Sequence, residues 1–285
     1  MKKHISGSMM VFLGALFWSL NAPLVKFLQL DPYLMCGLRS LIAGIALLPF
    51  FRPKKMKWNG WTALYICAYC GLSLTIILAL KQTASAIAIG MQYGAIIWLF
   101  LARWIATKRF DRVSFLPVCI VLTGVVLFMC SGTGGTIAGN LLALTESIYF
   151  ACMTVSSKKA AGDNPLGLTA LGNLFTGILV LSAFPGSTAT VVAMRGMDWV
   201  LMVVLGVVQL GCGYAFYNMG VQKVSPQKAS VLALWEMLLG PLWVALFLRE
   251  FPTALVLIGF AVILLGMLLD ALMPQLVKRC KRWAA

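Results

Sequence analysis

The chain has 285 residues, 61% of them hydrophobic and only 11% charged, with a mean hydropathy of +0.93. That balance excludes an ordinary soluble domain and leaves a polytopic membrane protein. A formal net charge of +15 would suggest nucleic acid in a soluble chain, but here Lys and Arg fall mainly in loops between apolar runs, so the expected partner is a lipid bilayer and not a nucleic acid.

The N-terminus has the charged start and apolar run of a signal peptide, yet the run continues past Pro23 to Leu28 and reads as a full span. A hydrocarbon core about 30 Å thick needs roughly 20 apolar residues per helix. Ten runs meet that length, near residues 8–28, 33–51, 61–80, 84–106, 114–131, 139–157, 166–184, 198–218, 228–248 and 253–272. Turn residues separate them at Asp31-Pro32, Arg52-Pro53, Gly132 to Gly135, Asp163-Asn164-Pro165, Pro185-Gly186, Ser225-Pro226 and Phe251-Pro252. Cys36, Cys67, Cys70, Cys119, Cys130 and Cys152 lie inside apolar runs, where Cys behaves as a small hydrophobe. Cys67 and Cys70 form a C-x-x-C with no His or second Cys pair beside it, so neither a metal nor a disulfide framework is expected.

The basic residues sort to one side. Lys2 and Lys3, the groups at Arg52 to Lys57 and Lys108 to Arg112, the pair Lys158 and Lys159, Lys223 with Lys228, and the tail from Lys278 to Arg282 all fall on one face of a ten-span chain. Lys81, Arg195 and Arg249 fall on the other. The positive-inside rule makes the first face cytoplasmic, with both termini there, in a bacterial-type inner membrane.

An internal repeat follows. Pro32 and Pro165, Arg39 and Gly172, and Gly44 and Gly177 are each 133 apart, whereas Cys70-Gly71 and Cys212-Gly213, Lys81 and Lys223, and Gly124 and Gly266 are 142 apart (266 − 124). The difference places an insertion between Pro185 and Asp198. Two halves of five spans, residues 1–135 and 136–285, must cross the membrane in opposite senses because five is odd. The expected fold is an all-α integral membrane protein of ten transmembrane helices in two inverted five-helix repeats, the design of secondary transporters.

In this setting Gly14 to Trp18 on span one, Pro32 to Arg39 on span two, Lys81 to Ser85 entering span four and Gly124 on span five resemble the EamA-type branch of the drug/metabolite transporter superfamily. The resemblance covers nearly the whole chain. It departs from that pattern at Lys108-Arg109, where a Gly-Glu-Arg-like turn is common, and only Arg249-Glu250 remains of that turn in the second half. Membership implies transport of amino acids, amines, nucleobases, nucleotide sugars or drugs, and leaves the cargo open.

Two carboxylates lie well inside spans, Glu146 on span six and Glu236 on span nine. An ionised group at the bilayer centre costs at least ~2.5 kcal/mol, so each marks a site by default. Tyr149 and Phe150 follow Glu146 by one helical turn. Under the 142 offset Tyr93 pairs with Trp235, and under an offset of 132 Trp18 pairs with Phe150. The expected midplane pocket is therefore lined by Trp18, Asn21, Gln92, Tyr93, Glu146, Tyr149, Trp235 and Glu236. Arg39 is read as an anchor of span two whose long stem snorkels, in preference to a group that binds a substrate carboxylate, and Gln209, Tyr214 and Tyr217 as packing residues in preference to a lining of the cytoplasmic half of the path. Carboxylates beside aromatic faces suit an organic cation.

The expectation is a secondary-active transporter of a small amine-bearing metabolite, such as choline or an amino acid, working by alternating access without a cofactor other than a coupling proton or ion. The sequence sets no oligomeric state. Neutral or anionic cargo, and a receptor that binds without transporting, stand as alternatives. No catalytic triad, zinc signature or nucleotide loop is present in the sequence, so no enzymatic activity is expected.

Overall fold

The computed structural model describes residues 5–131, 135–160, 162, 164–224 and 226–283. Ten of its helices are long and apolar enough to cross a membrane: α1 (Gly7–Phe27), α2 (Pro32–Phe50), α3 (Gly60–Gln82), α4 (Ser85–Thr107), α5 (Arg112–Cys130), α6 (Ile137–Ser157), α7 (Pro165–Ala183), α8 (Gly196–Val221), α9 (Val231–Leu248) and α10 (Ala254–Met273). Every bound lies within three residues of the run read from the sequence. Among the sequence signals, Gly132 to Gly134, Asp163, Ser225, Lys2 and Lys3 lie outside the described residues, as do the side chains of Lys158 and of the tail beyond Met273.

Helix starts are encoded locally. Asp31 and Asn164 each accept a backbone N–H three residues on, from Leu34 at 2.9 Å and Gly167 at 3.0 Å. Each is followed by a Pro at the first helical position, where the missing N–H costs nothing. These caps begin α2 and α7, equivalent helices of the two halves (164 − 31 = 133). The inserted segment forms a 3₁₀ stretch, Pro185–Ala193, ahead of α8.

The bundle is two-fold in its contacts. Helix α1 packs on α8 and α9, α6 packs on α3 and α4, α2 packs on α7, and α5 packs on α10. Exchanging the halves, so that α1 becomes α6 and α3 becomes α8, returns the same set of pairs. The reason is visible at the glycines. A Cβ on Gly44 would lie 2.7 Å from Leu174 Cγ, and one on Gly177 would lie 2.9 Å from Leu41 Cβ; Leu41 and Leu174 are themselves 133 apart. Likewise Gly124 meets Ile263 at 2.5 Å and Gly266 meets Val121 at 2.6 Å, with Val121 and Ile263 equivalent at the 142 offset. Small residues let helix backbones approach closely where lipid offers no hydrophobic drive for association.

Two helices are interrupted. Helix α1 breaks at Leu20, just before Asn21 and Pro23, because a Pro ring cannot coexist with the carbonyl four residues back. Helix α4 breaks between Gln92 and Ala95, at Tyr93 and Gly94. Helix α8 carries a π-helical stretch at Val204–Cys212, a form that tends to occur at functional sites. All three irregularities face one cavity.

Candidate functional site

The cavity is partly open, with about 480 Å³ of free space when the solvent at its mouth is counted, and draws its walls from both halves. Trp18 and Asn21 come from the break in α1, Gln92 from the break in α4, Arg39 from α2, Tyr69 and Ser73 from α3, Phe150 from α6, Gln209 and Tyr214 from α8, and Glu236 from α9. Discontinuous helices around a site between the repeats are a recurring transporter arrangement, because non-helical backbone is tolerated at membrane depth only where it lines a cavity.

Arg39 is the most constrained wall residue. It is 1% exposed. Its guanidinium donates to Asn21 Oδ1 at 2.6 Å, to Ser73 O at 3.0 Å and to Ser73 Oγ at 3.2 Å. The Nε–H is buried with no partner among the described residues. The reading of Arg39 as a snorkelling anchor is therefore corrected: α3 and the break in α1 supply acceptors that hold it inward, in the bundle.

Glu236 lines the cavity and accepts a hydrogen bond from the Tyr93 hydroxyl at 3.3 Å; the same hydroxyl is 3.3 Å from Ala233 O. Aromatic rings surround this wall. Trp18 lies 4.8 Å from Tyr214 and 4.6 Å from Tyr217, and Tyr69 lies 5.5 Å from Tyr214, between centroids. Tyr69 is fixed by Asn173, whose Nδ2–H donates to its hydroxyl at 2.7 Å.

Of the eight residues predicted for the pocket, Trp18, Asn21, Gln92 and Glu236 line the cavity. Tyr93 does not, but is buried behind Glu236 and holds it. Glu146 is also not on the wall. It is 0% exposed, and neither carboxyl oxygen has a partner among the described residues. It sits close enough to Arg39 and Glu236 for their charges to act on it.

Tyr149 and Trp235 lie elsewhere. Tyr149 is 36% exposed and fills the notch at Gly71, where a Cβ would come within 2.5 Å of its ring. Trp18 does the same at Gly213, the repeat equivalent of Gly71, at 2.6 Å. Trp235 is 42% exposed and meets Phe12 edge to face at 5.7 Å. Both departures follow from helix phase, since one residue turns a side chain by about 100°. With Glu236 facing the cavity, Trp235 faces outward, and with Phe150 on the wall, Tyr149 is off it.

Sequence reasoning passed over Tyr69 and Ser73 and assigned Gln209 and Tyr214 to packing. The signal was there in part: both tyrosines lie next to the repeated Cys-Gly pairs, Cys70-Gly71 and Cys212-Gly213.

At the face opposite the chain's N-terminus, Glu250 ties several helix ends together. Lys26 Nζ donates to Glu250 Oε2 at 2.6 Å and to Thr83 O at 3.1 Å, and the backbone N–H of Ser85 donates to Glu250 Oε1 at 2.9 Å. Glu250 therefore caps α4 with a carboxylate where the helix dipole favours one. Its counterpart at the end of α4 is Arg109, aligned by the left-handed residues Lys108 (φ 53°) and Arg249 (φ 55°) that terminate the two equivalent helices. Arg109 is exposed.

The sequence matches the EamA-like transporter family twice, over residues 5–130 and 137–270, once per half. The chain belongs to the EamA-like transporter family. It is thus a multi-pass membrane transporter of the drug/metabolite transporter superfamily. An uncharacterized transporter of Archaeoglobus fulgidus (strain ATCC 49558) is 24% identical to this EamA protein over 269 residues, covering 92% of this chain and 95% of the relative. A solved crystal structure superposes on the EamA chain with a TM-score of 0.63 at 18% identity, covering 94% of this chain and 97% of the other, a likeness of fold alone.

Proposed function

We propose that this EamA-family transporter carries a small amine-bearing metabolite through the cavity between its halves by alternating access, with the Lys- and Arg-rich face in the cytoplasm. The observation that carries the reading is the Glu236 carboxylate on a cavity wall that also bears Trp18, Tyr69 and Tyr214. A carboxylate balances an ammonium charge, and an aromatic face attracts it by about 0.5–1 kcal/mol where exposed and about 2 kcal/mol where desolvated. The two-fold packing supports alternating access, since equivalent helix pairs on each side of the cavity can exchange roles as the halves rock.

The test is uptake of radiolabelled amines and amino acids into sealed proteoliposomes. Wild type is expected to show saturable flux that amines compete for, and Glu236→Gln to lose it. Equal flux in the two proteins, or competition by neutral and anionic compounds alone, rejects the amine reading. Ligand binding with no flux points to a receptor.

A further inference from the structure

The charges in the cavity are arranged unusually. Arg39 and Glu236 line the same cavity, on α2 of one half and α9 of the other. They do not pair. Arg39 is held by the neutral acceptors Asn21 and Ser73, and Glu236 by the neutral donor Tyr93.

A buried cation whose hydrogen bonds all go to neutral groups keeps much of its desolvation cost, and so does a buried anion; Glu146, the other carboxyl near them, makes no hydrogen bond or ion pair with either among the described residues. The usual remedy is to bring the two together. Here the fold prevents that by giving each its own scaffold: the α1 break aims Asn21 at Arg39, and the α4 break aims Tyr93 at Glu236. A ligand bearing both charges would supply the missing counterion at each wall at once. Arg39 also keeps one unmade bond, the buried Nε–H.

We propose that the cargo is a compact zwitterion, with its carboxylate taken by Arg39, Asn21 and Ser73 and its ammonium by Glu236 and the rings of Trp18 and Tyr214. This rests on the amine reading above and narrows it. Choline and simple amines lack the group that Arg39 would bind. A purely anionic cargo lacks the group that Glu236 would bind. The remaining wall sets Leu72, Ile76, Phe150 and Leu210 beside the neutral amides of Gln92 and Gln209, and suits an uncharged side group.

The experiment is a thermal-shift titration of the purified, full-length protein against the twenty amino acids. Each responder is then compared with its methyl ester, its N-acetyl derivative and its decarboxylated amine, since a ligand stabilises the state that binds it. The expected result is that at least one amino acid raises Tm, while its three derivatives bind at least tenfold more weakly. In Arg39→Gln the preference for the amino acid over its methyl ester should disappear, and in Glu236→Gln its preference over the N-acetyl derivative. If the ester or amine matches the amino acid in wild type, the carboxylate subsite is overturned while the amine reading stands. If the N-acetyl derivative matches it, both fall. The wild-type series alone decides the matter should either variant fail to fold.

Discussion

The Tyr93 hydroxyl donates to Glu236 Oε2 at 3.3 Å from a residue that is itself 4% exposed and sits in the break of α4. The bond joins the two halves behind the cavity wall and fixes where the carboxylate points. Tyr93→Phe keeps the ring and removes the bond. It is expected to cost about 0.5–1.5 kcal/mol of protein stability and to weaken the ligand response less than Glu236→Gln does. A thermal-shift titration of both variants checks the order; Tyr93→Phe weaker than Glu236→Gln contradicts a positioning role.

Glu250→Gln should loosen the start of α4. The variant keeps a side-chain oxygen but loses the ion pair to Lys26 and the charge that favours the Ser85 N–H. With side chains 17% and 32% exposed, the pair is expected to contribute no more than about 1 kcal/mol. The sharper readout is local: hydrogen exchange at the Ser85 amide should accelerate severalfold while exchange at the α7 start stays the same. Unchanged protection at Ser85 rejects the capping role.

The glycine notches differ in what fills them. A Cβ at Gly37 would meet only the Leu181 side chain, at 2.5 and 2.6 Å, whereas one at Gly177 would meet the Leu41 backbone N at 2.8 Å and Gly37 O at 3.0 Å. Both Ala substitutions should destabilise by about 1–3 kcal/mol. Adding Leu181→Ala is expected to restore much of the loss at Gly37, but Leu41→Ala should not restore Gly177→Ala, because backbone cannot move aside. Melting temperatures of the four variants test this, and equal rescue at both sites is the contrary result.

Asp111 caps α5 outside the apolar span. Burial pushes its carboxyl up, but the hydrogen bonds from the Ser114 hydroxyl and the Ser114 and Val113 amides, with Arg103 beside it, outweigh that and hold it below the usual carboxylate range. A carboxyl whose value is lowered by folding adds stability above its unfolded value of about 3.9, and that stability is lost as pH falls through the lower folded value. Wild type should therefore melt above Asp111→Asn at neutral pH, with the gap closing as the pH falls below about 4. A gap that persists in acid assigns the effect to the cap and not to its charge.

Much of this architecture was legible in the chain because membrane helices are written in long runs and repeats in offsets. Pro32 with Pro165 and Gly44 with Gly177 mark equivalent places that the structure fills with equivalent contacts. The cavity was legible only by halves. Depth along a helix can be counted, and Trp18, Asn21, Gln92 and Glu236 all reach the one cavity. Direction around the helix is set by which neighbours pack against it, and adjacent residues point about 100° apart, so Trp235 beside Glu236 and Tyr149 beside Phe150 turn away from the cavity. Arg39 was misread for another reason: its acceptors are a side chain 18 residues before it and a helix 34 residues after it, and no local pattern announces them.

The reciprocal notches of α2 with α7 and of α5 with α10 have a further consequence. Residue i of one half meets residue j of the other while j meets i, which is the rule of an interface between two identical subunits. One knob and one notch, present once in a half-length chain, would have built each seam twice over in a dimer of that chain lying head to tail across the bilayer. The covalent link between the halves fixes their stoichiometry. It also frees each copy to change alone, and the carboxylate that stands at Glu236 opposite a glycine at Gly94 is a change of that kind.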